Sequence, residues 1–175
     1  SNSSSILEHE RTNTNPMESM SYSNAVSMAH RSNKFVLLYL HSPLHPDSKH
    51  FIRTGLADPR VLNFLNTRRA EGNLMVWGGS IHTADGAAVA RSLNVCAYPF
   101  IALLSCQRGS GSSADVLLRL EGLQRHNYRH NSRAGTRRAI SASQIPYQPT
   151  DFLSIIAAHL MTYQNILDEA LAQQR

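Results

Sequence analysis

The chain has 175 residues, 42% of them hydrophobic, and a formal charge of +5 from 17 basic against 12 acidic side chains. That length suits one domain with a sizeable core and is short for two. The basic excess is nearly all arginine, with Lys34 and Lys49 the lysines, and much of it is local, so whole-chain charge is a poor guide to partners.

No run approaches the roughly 18 apolar residues of a membrane span, and the N-terminus has no signal-peptide core. Cys96 and Cys106 flank a predicted strand. They form neither a disulfide framework nor a metal knuckle, which suits a reducing compartment. The first residue is Ser1 rather than Met, so the chain reads as an excised segment, and its sequence is no guide to any targeting or anchoring element of a parent protein.

Residues 1–20, rich in Ser, Asn and Thr, carry too few large apolar groups for a core element and are expected to be flexible; 21–175 is expected to be the folded domain. Tyr22, Ala25, Val26, Met28 and Ala29 give a short helical stripe ending near Asn33. Phe35 to Leu40 is an unbroken apolar run, the pattern of a central strand buried on both faces. It leaves the sheet through His41, Ser42, Pro43, Leu44 and His45, at the edge where α/β proteins usually place their sites.

Asp47 to Ile52 predicts a helix with Phe51 and Ile52 inward and Gly55 as its stop. Asp58-Pro59 starts another as N-cap and first-turn proline, with Val61, Leu62, Phe64 and Leu65 on its apolar face. Leu74 to Trp77 predicts a second buried strand closed by Gly78-Gly79, and Thr83 to Asn94 a slim alanine-rich helix. After Tyr98-Pro99, Phe100 to Leu104 is a third strand. A Gly/Ser connection then leads to Val116 to Glu121, expected to be its antiparallel partner.

Residues 124–149 hold Arg125, Arg129, Arg133, Arg137, Arg138, His126 and His130 with no acidic residue, and read as a basic loop insertion. From Asp151, Phe152, Leu153, Ile156, Leu160, Tyr163 and Leu167 recur at the spacing of an amphipathic helix that covers the sheet. The fold class is therefore α/β, a layered domain with a central sheet of four to five strands flanked by helices.

Ser42 with His41 or His45 as base and Asp47 as orienter is the combination from which a hydrolase would be built. Neighbours along one turn seldom present triad geometry, so local roles are expected instead: Ser42 as a cap, Pro43 as a turn fixer, the histidines as polar edge residues. His41, His45 and His50 beside Asp47 suggest a metal by count alone, and no cysteine pair supports them. His126 and His130 have chelating i, i+4 spacing without the acidic partner of a metalloprotease motif. No metal, cofactor or catalytic residue is expected. The arginines Arg125, Arg129, Arg133, Arg137 and Arg138 suit an anionic membrane or acidic protein surface. Nucleic acid is disfavoured, because Tyr128 alone is no stacking platform.

The segments KFVLLYLHSPLHPDS, DPRVLNFLN, VWGGSIHTADGAAVARSLNVCAYPFIALL and VLLRLEGL together resemble the UAS domain of the FAS-associated factor group of UBX-domain proteins, within the thioredoxin-like superfamily. The resemblance runs from about Ser21 to Leu123 and resumes weakly in the last helix; the basic insertion departs from it. It implies a thioredoxin-like mixed sheet and a cis peptide at Tyr98-Pro99 facing the Ser42 to His45 turn. It also implies a non-catalytic adaptor for a Cdc48-type ATPase in ubiquitin-dependent degradation, at the cytosolic face of the endoplasmic reticulum or lipid droplets. Its further implications are self-association in response to long-chain unsaturated fatty acids and partner contacts made mainly through other domains. Ser42 and His45 stand where redox relatives carry cysteines, so disulfide exchange is absent. The alternative is a thioredoxin-like enzyme with a noncanonical Ser42/His45 site.

Overall fold

The computed structural model describes residues 20–106, 114–124 and 144–173. Among the described residues the α-helices and strands follow in the order α1 (Tyr22–Ser32), β1 (Phe35–His41), α2 (Pro46–Phe51), α3 (Pro59–Ala70), β2 (Leu74–Ser80), α4 (Ala84–Ser92), β3 (Phe100–Ser105), β4 (Asp115–Glu121) and α5 (Pro149–Gln173). The sheet runs β2-β1-β3-β4, with β1 parallel to β2 and antiparallel to β3, and β3 antiparallel to β4. This is a mixed four-stranded α/β sheet flanked by helices.

The uninterrupted apolar run of β1 has its cause in this topology. Phe35, Leu37 and Tyr39 face one core layer under α3 and α5, while Val36, Leu38 and Leu40 face a second under α1 and α4. Every residue from Phe35 to Leu40 is at most 5% exposed. Such burial stabilises by about 1.5–3 kcal/mol for each large side chain. β3 is buried from end to end in the same way.

The helices begin where their capping residues place them. Ser21 Oγ accepts the Asn24 N–H, Asp58 Oδ1 that of Arg60 and Thr83 Oγ1 that of Gly86, each satisfying an orphan first-turn donor. Asn33, in the left-handed region at φ 55°, closes α1.

Several expectations are corrected. Gly55 does not stop α2, because the chain continues through a π-helical turn, Ile52–Leu56, that widens the helix. The wider turn leaves Ile52 at the surface, 38% exposed, while Phe51 stays in the core. Gly55 is buried there against the Phe51 ring, where a Cβ would come within 2.5 Å. Gly78 and Gly79 do not close β2 but lie inside it, paired with Tyr39 and Leu40. The Trp77 ring folds over Gly79 at a distance only glycine allows, 2.5 Å from an ideal Cβ.

The end of the basic insertion is also corrected. Ile145 is fully buried in the core, and its backbone bridges to Leu123, with Ile145 N–H donating to Gly122 O at 2.9 Å and Gln124 N–H to Ile145 O at 2.8 Å. α5 then starts at Pro149, two residues before the expected Asp151. The two ends of the stretch therefore lie side by side at the end of β4.

Candidate functional site

Strand register gathers the sequence-predicted residues at one edge of the sheet. His41 pairs with Ser80, Leu40 with Phe100, and Phe100 with Glu121, so the turn after β1, the Tyr98-Pro99 step before β3 and the end of β4 are neighbours. The Tyr98-Pro99 peptide is cis, as the resemblance implies.

The turn is fastened from beneath. Ser48, fully buried in α2, accepts the Ser42 N–H at its hydroxyl at 3.3 Å; His45 N–H donates to Ser42 O at 3.0 Å, and Ser48 N–H to His45 O at 3.1 Å. Ser42 is thereby buried at the base of the turn, and Leu44 at its apex is 82% exposed. His45 is the N-cap residue of α2, yet its side chain makes no capping bond, and its Nδ1 is buried without a hydrogen-bond partner among the described residues. No hydrogen bond joins it to the Ser42 hydroxyl, so the pair forms no nucleophile–base dyad. His41 stacks on Tyr39 at 5.7 Å, and burial pushes the Tyr39 phenol well above its ordinary range. His50 stacks on Tyr147 at 5.2 Å, joining α2 to the chain entering α5.

The cis-proline loop is held by the RLEG segment. Glu121 Oε2 accepts the Cys96 N–H at 2.9 Å and the Ala97 N–H at 3.1 Å, while its other oxygen pairs with Arg119. Arg119 reaches the carbonyls past the end of α4, donating to Leu93 O at 2.5 Å and Asn94 O at 2.7 Å, and its guanidinium lies over the Phe100 ring at 5.2 Å. Gly122, at φ 69°, turns the chain so that its N–H donates to Pro99 O at 2.8 Å. Alternation along β4 puts Arg119 and Glu121 on one face, so a four-residue motif clamps the loop that carries Tyr98. Burial, followed by the charges of Glu121 and Cys96, raises the Tyr98 phenol above its ordinary value.

Ser42, His45, Tyr98 and Pro99 are thus brought to one edge. Arg125, Arg129, Arg133, Arg137, Arg138, His126 and His130 lie outside the described residues. Among the described residues no three His, Cys, Asp or Glu side chains converge as a metal site, and no helix is long and apolar enough to cross a membrane. Sequence reading missed Ser48, Arg119, Glu121, Ile145 and Tyr147. The alternating Arg-x-Glu-Gly of β4 was a usable signal for two of these, whereas the role of Ser48 depends on a turn geometry that spacing does not encode.

Dithiol exchange requires two thiols at the turn, and the positions carry Ser42 and His45. Cys96 and Cys106 are both free thiols, one exposed and one buried. Burial, with a contribution from Asp115, pushes the Cys106 thiol up to about 11.

No family model matches the chain. It is 35% identical over 102 residues to FAS-associated factor 2 of Rattus norvegicus, covering 58% of this chain and 27% of that protein. It is 36% identical over 102 residues to FAS-associated factor 2 of Xenopus tropicalis, covering 58% and 21%. Plant UBX domain-containing protein 10 of Arabidopsis thaliana is 34% identical over 83 residues, covering 47% and 16%. The matches therefore span about a quarter or less of the length of these relatives. Among solved structures, a thioredoxin from Thermus thermophilus superposes with a TM-score of 0.45 at 25% identity over 57% of this chain and 71% of that one. DsbH oxidoreductase superposes with a TM-score of 0.46 at 11% identity over 69% and 83%.

Proposed function

Because the chain is homologous to the UAS domain of FAS-associated factor 2 and UBX-family proteins, we propose that it is the non-catalytic recognition module of an adaptor for a Cdc48-type ATPase in ubiquitin-dependent protein degradation. The observation that carries this reading is the edge itself. A turn without thiols is still fastened by Ser48 and still faces a cis-proline loop clamped by Arg119 and Glu121, with Leu44 presented at its apex.

In this reading residues 21–175 are the domain, other parts of the parent protein hold the ATPase and ubiquitin, and the assembly works at the cytosolic face of the endoplasmic reticulum or lipid droplets. Arg125, Arg129, Arg133, Arg137 and Arg138 serve an anionic membrane or protein surface; the paired ends of their stretch, at Leu123 and Ile145, put its base beside the cis-proline loop. Self-association in response to a long-chain unsaturated fatty acid is part of the proposal and rests on the family resemblance alone. Light scattering with oleate against stearate tests it, and equal scattering with both refutes it. The adaptor reading is tested by affinity isolation of the parent protein from its cells. Co-isolation of a Cdc48-type ATPase with ubiquitylated proteins is expected, and isolation without the ATPase overturns the reading.

A further inference from the structure

α2 leaves the turn with one side in the core and the other in solvent. Ser48 and Phe51 are buried, while Lys49, Ile52 and Arg53 are exposed. Lys49 lies one helical turn from both Ile52 and Arg53, so the three share a surface. The π-helical turn contributes to it, because its extra width is what leaves Ile52 outside the core. Leu44 stands at the N-terminal end of this face, and Tyr147, stacked on His50, borders it beyond Arg53. Two cations are thereby set among three exposed apolar side chains at the edge that carries the turn.

The positive charge of this face is not neutralised by its neighbours. Among the described residues the ion pairs join Arg60 to Asp58, Arg68 to Glu71 and Arg119 to Glu121, and none includes Lys49 or Arg53. Asp47 is two residues from Lys49 and so projects from a different side of the helix. Asp151 stands in the first turn of α5 and makes no ion pair with α2. The complement of such a face is a surface that sets carboxylates among large apolar residues. An anionic bilayer is the weaker match. Two cations hold a chain only marginally on it, and the apolar groups here are separated by charge rather than gathered on one side of the helix.

We propose that the exposed face of α2 binds an acidic peptide segment of a partner protein, with its carboxylates on Lys49 and Arg53 and its apolar side chains against Leu44, Ile52 and Tyr147. This rests on the reading of the turn as a recognition edge and names the chemistry recognised there.

The test is fluorescence anisotropy of the full chain with a labelled peptide of repeating Leu-Glu-Ser. Saturable binding is expected, weakened about tenfold by the double change Lys49→Glu with Arg53→Glu, since each exposed pair is modest but two attractions become repulsions. Leu44→Asp weakens it as well, whereas Arg69→Glu, a charge reversal at the far end of α3, leaves it unaltered. On the peptide side, Glu→Gln and Leu→Ser each weaken binding with the protein unchanged, which separates recognition from folding. The proposal is overturned by absence of saturable binding, by an affinity indifferent to the double change or to the peptide substitutions, by an equal loss in Arg69→Glu, or by binding to phosphatidylserine vesicles and not to the peptide. The recognition edge is judged separately: cellular partners lost by Leu44→Asp but kept by the double change leave that reading standing and remove this one.

Discussion

Replacing Glu121 by alanine tests whether the RLEG segment clamps the cis-proline loop. The carboxylate accepts two backbone N–H groups, Cys96 at 2.9 Å and Ala97 at 3.1 Å, and its side chain is 17% exposed. Hydrogen bonds to a charged group contribute about 1.5–3 kcal/mol each. Cys96 is exposed, so water recovers part of its bond; with the lower end of the range taken for both bonds, the net loss is about 3 kcal/mol. With a urea m-value of about 2 kcal/mol per molar, the unfolding midpoint falls by about 1.5 M. Glu121→Gln keeps an acceptor oxygen and loses about half as much. Hydrogen exchange of the Cys96 and Ala97 amides, followed by NMR, speeds up in the alanine variant while the β1 amides are unaffected at first order. A midpoint unchanged within error together with unaltered Cys96 and Ala97 exchange would refute the clamp.

Ile145→Ala removes a fully buried side chain and is expected to cost about 2–5 kcal/mol in chemical denaturation; a loss under half a kilocalorie would mean the residue is not in the core. Gly79→Ala forces a Cβ against the Trp77 ring, with an expected loss of about 1–3 kcal/mol and a shifted tryptophan emission maximum, and an unchanged emission spectrum would contradict that contact. In native protein one thiol, Cys96, is expected to react with Ellman's reagent at neutral pH while Cys106 reacts only on unfolding, because burial holds its pKa near 11; two fast thiols would contradict the burial. Hydrogen bonds from the Arg60 side chain lower the Asp58 carboxyl from 3.8 to about 2, so its capping of α3 is fully present above pH 3.8 and lost as pH falls through about 2. An NMR titration midpoint for Asp58 at or above 3.8 would count against that pairing.

The central layers were legible because burial leaves a direct mark on composition. β1 and β3 are apolar without alternation since each is covered on both faces, and Asp58 and Thr83 stand where first-turn donors need acceptors. What misled was locally ambiguous chemistry. Gly55 reads as a helix stop, yet here its missing Cβ makes room for the Phe51 ring inside a π turn. Gly78-Gly79 reads as a strand end, yet Gly79 is required by the indole above it. Ile145 sits in a polar, arginine-rich stretch, and nothing nearby in sequence announces a bridge to Leu123. At the candidate edge, Ser42, His45, Tyr98 and Pro99 were visible through the resemblance, whereas the groups that hold them, Ser48 and Glu121, act across 6 to 25 residues of chain.

The most direct measurement of whether the edge is a recognition surface is a comparison of the parent protein with its Leu44→Asp variant, isolated from the same cells and analysed by quantitative mass spectrometry. Leu44 is 82% exposed, so the substitution leaves the fold intact. The account predicts that a Cdc48-type ATPase is retained by both proteins and that a distinct set of partners is lost from the variant. Identical partner sets, or turnover of a thiol or ester substrate by the purified chain that disappears on changing Ser42 or His45, would contradict it.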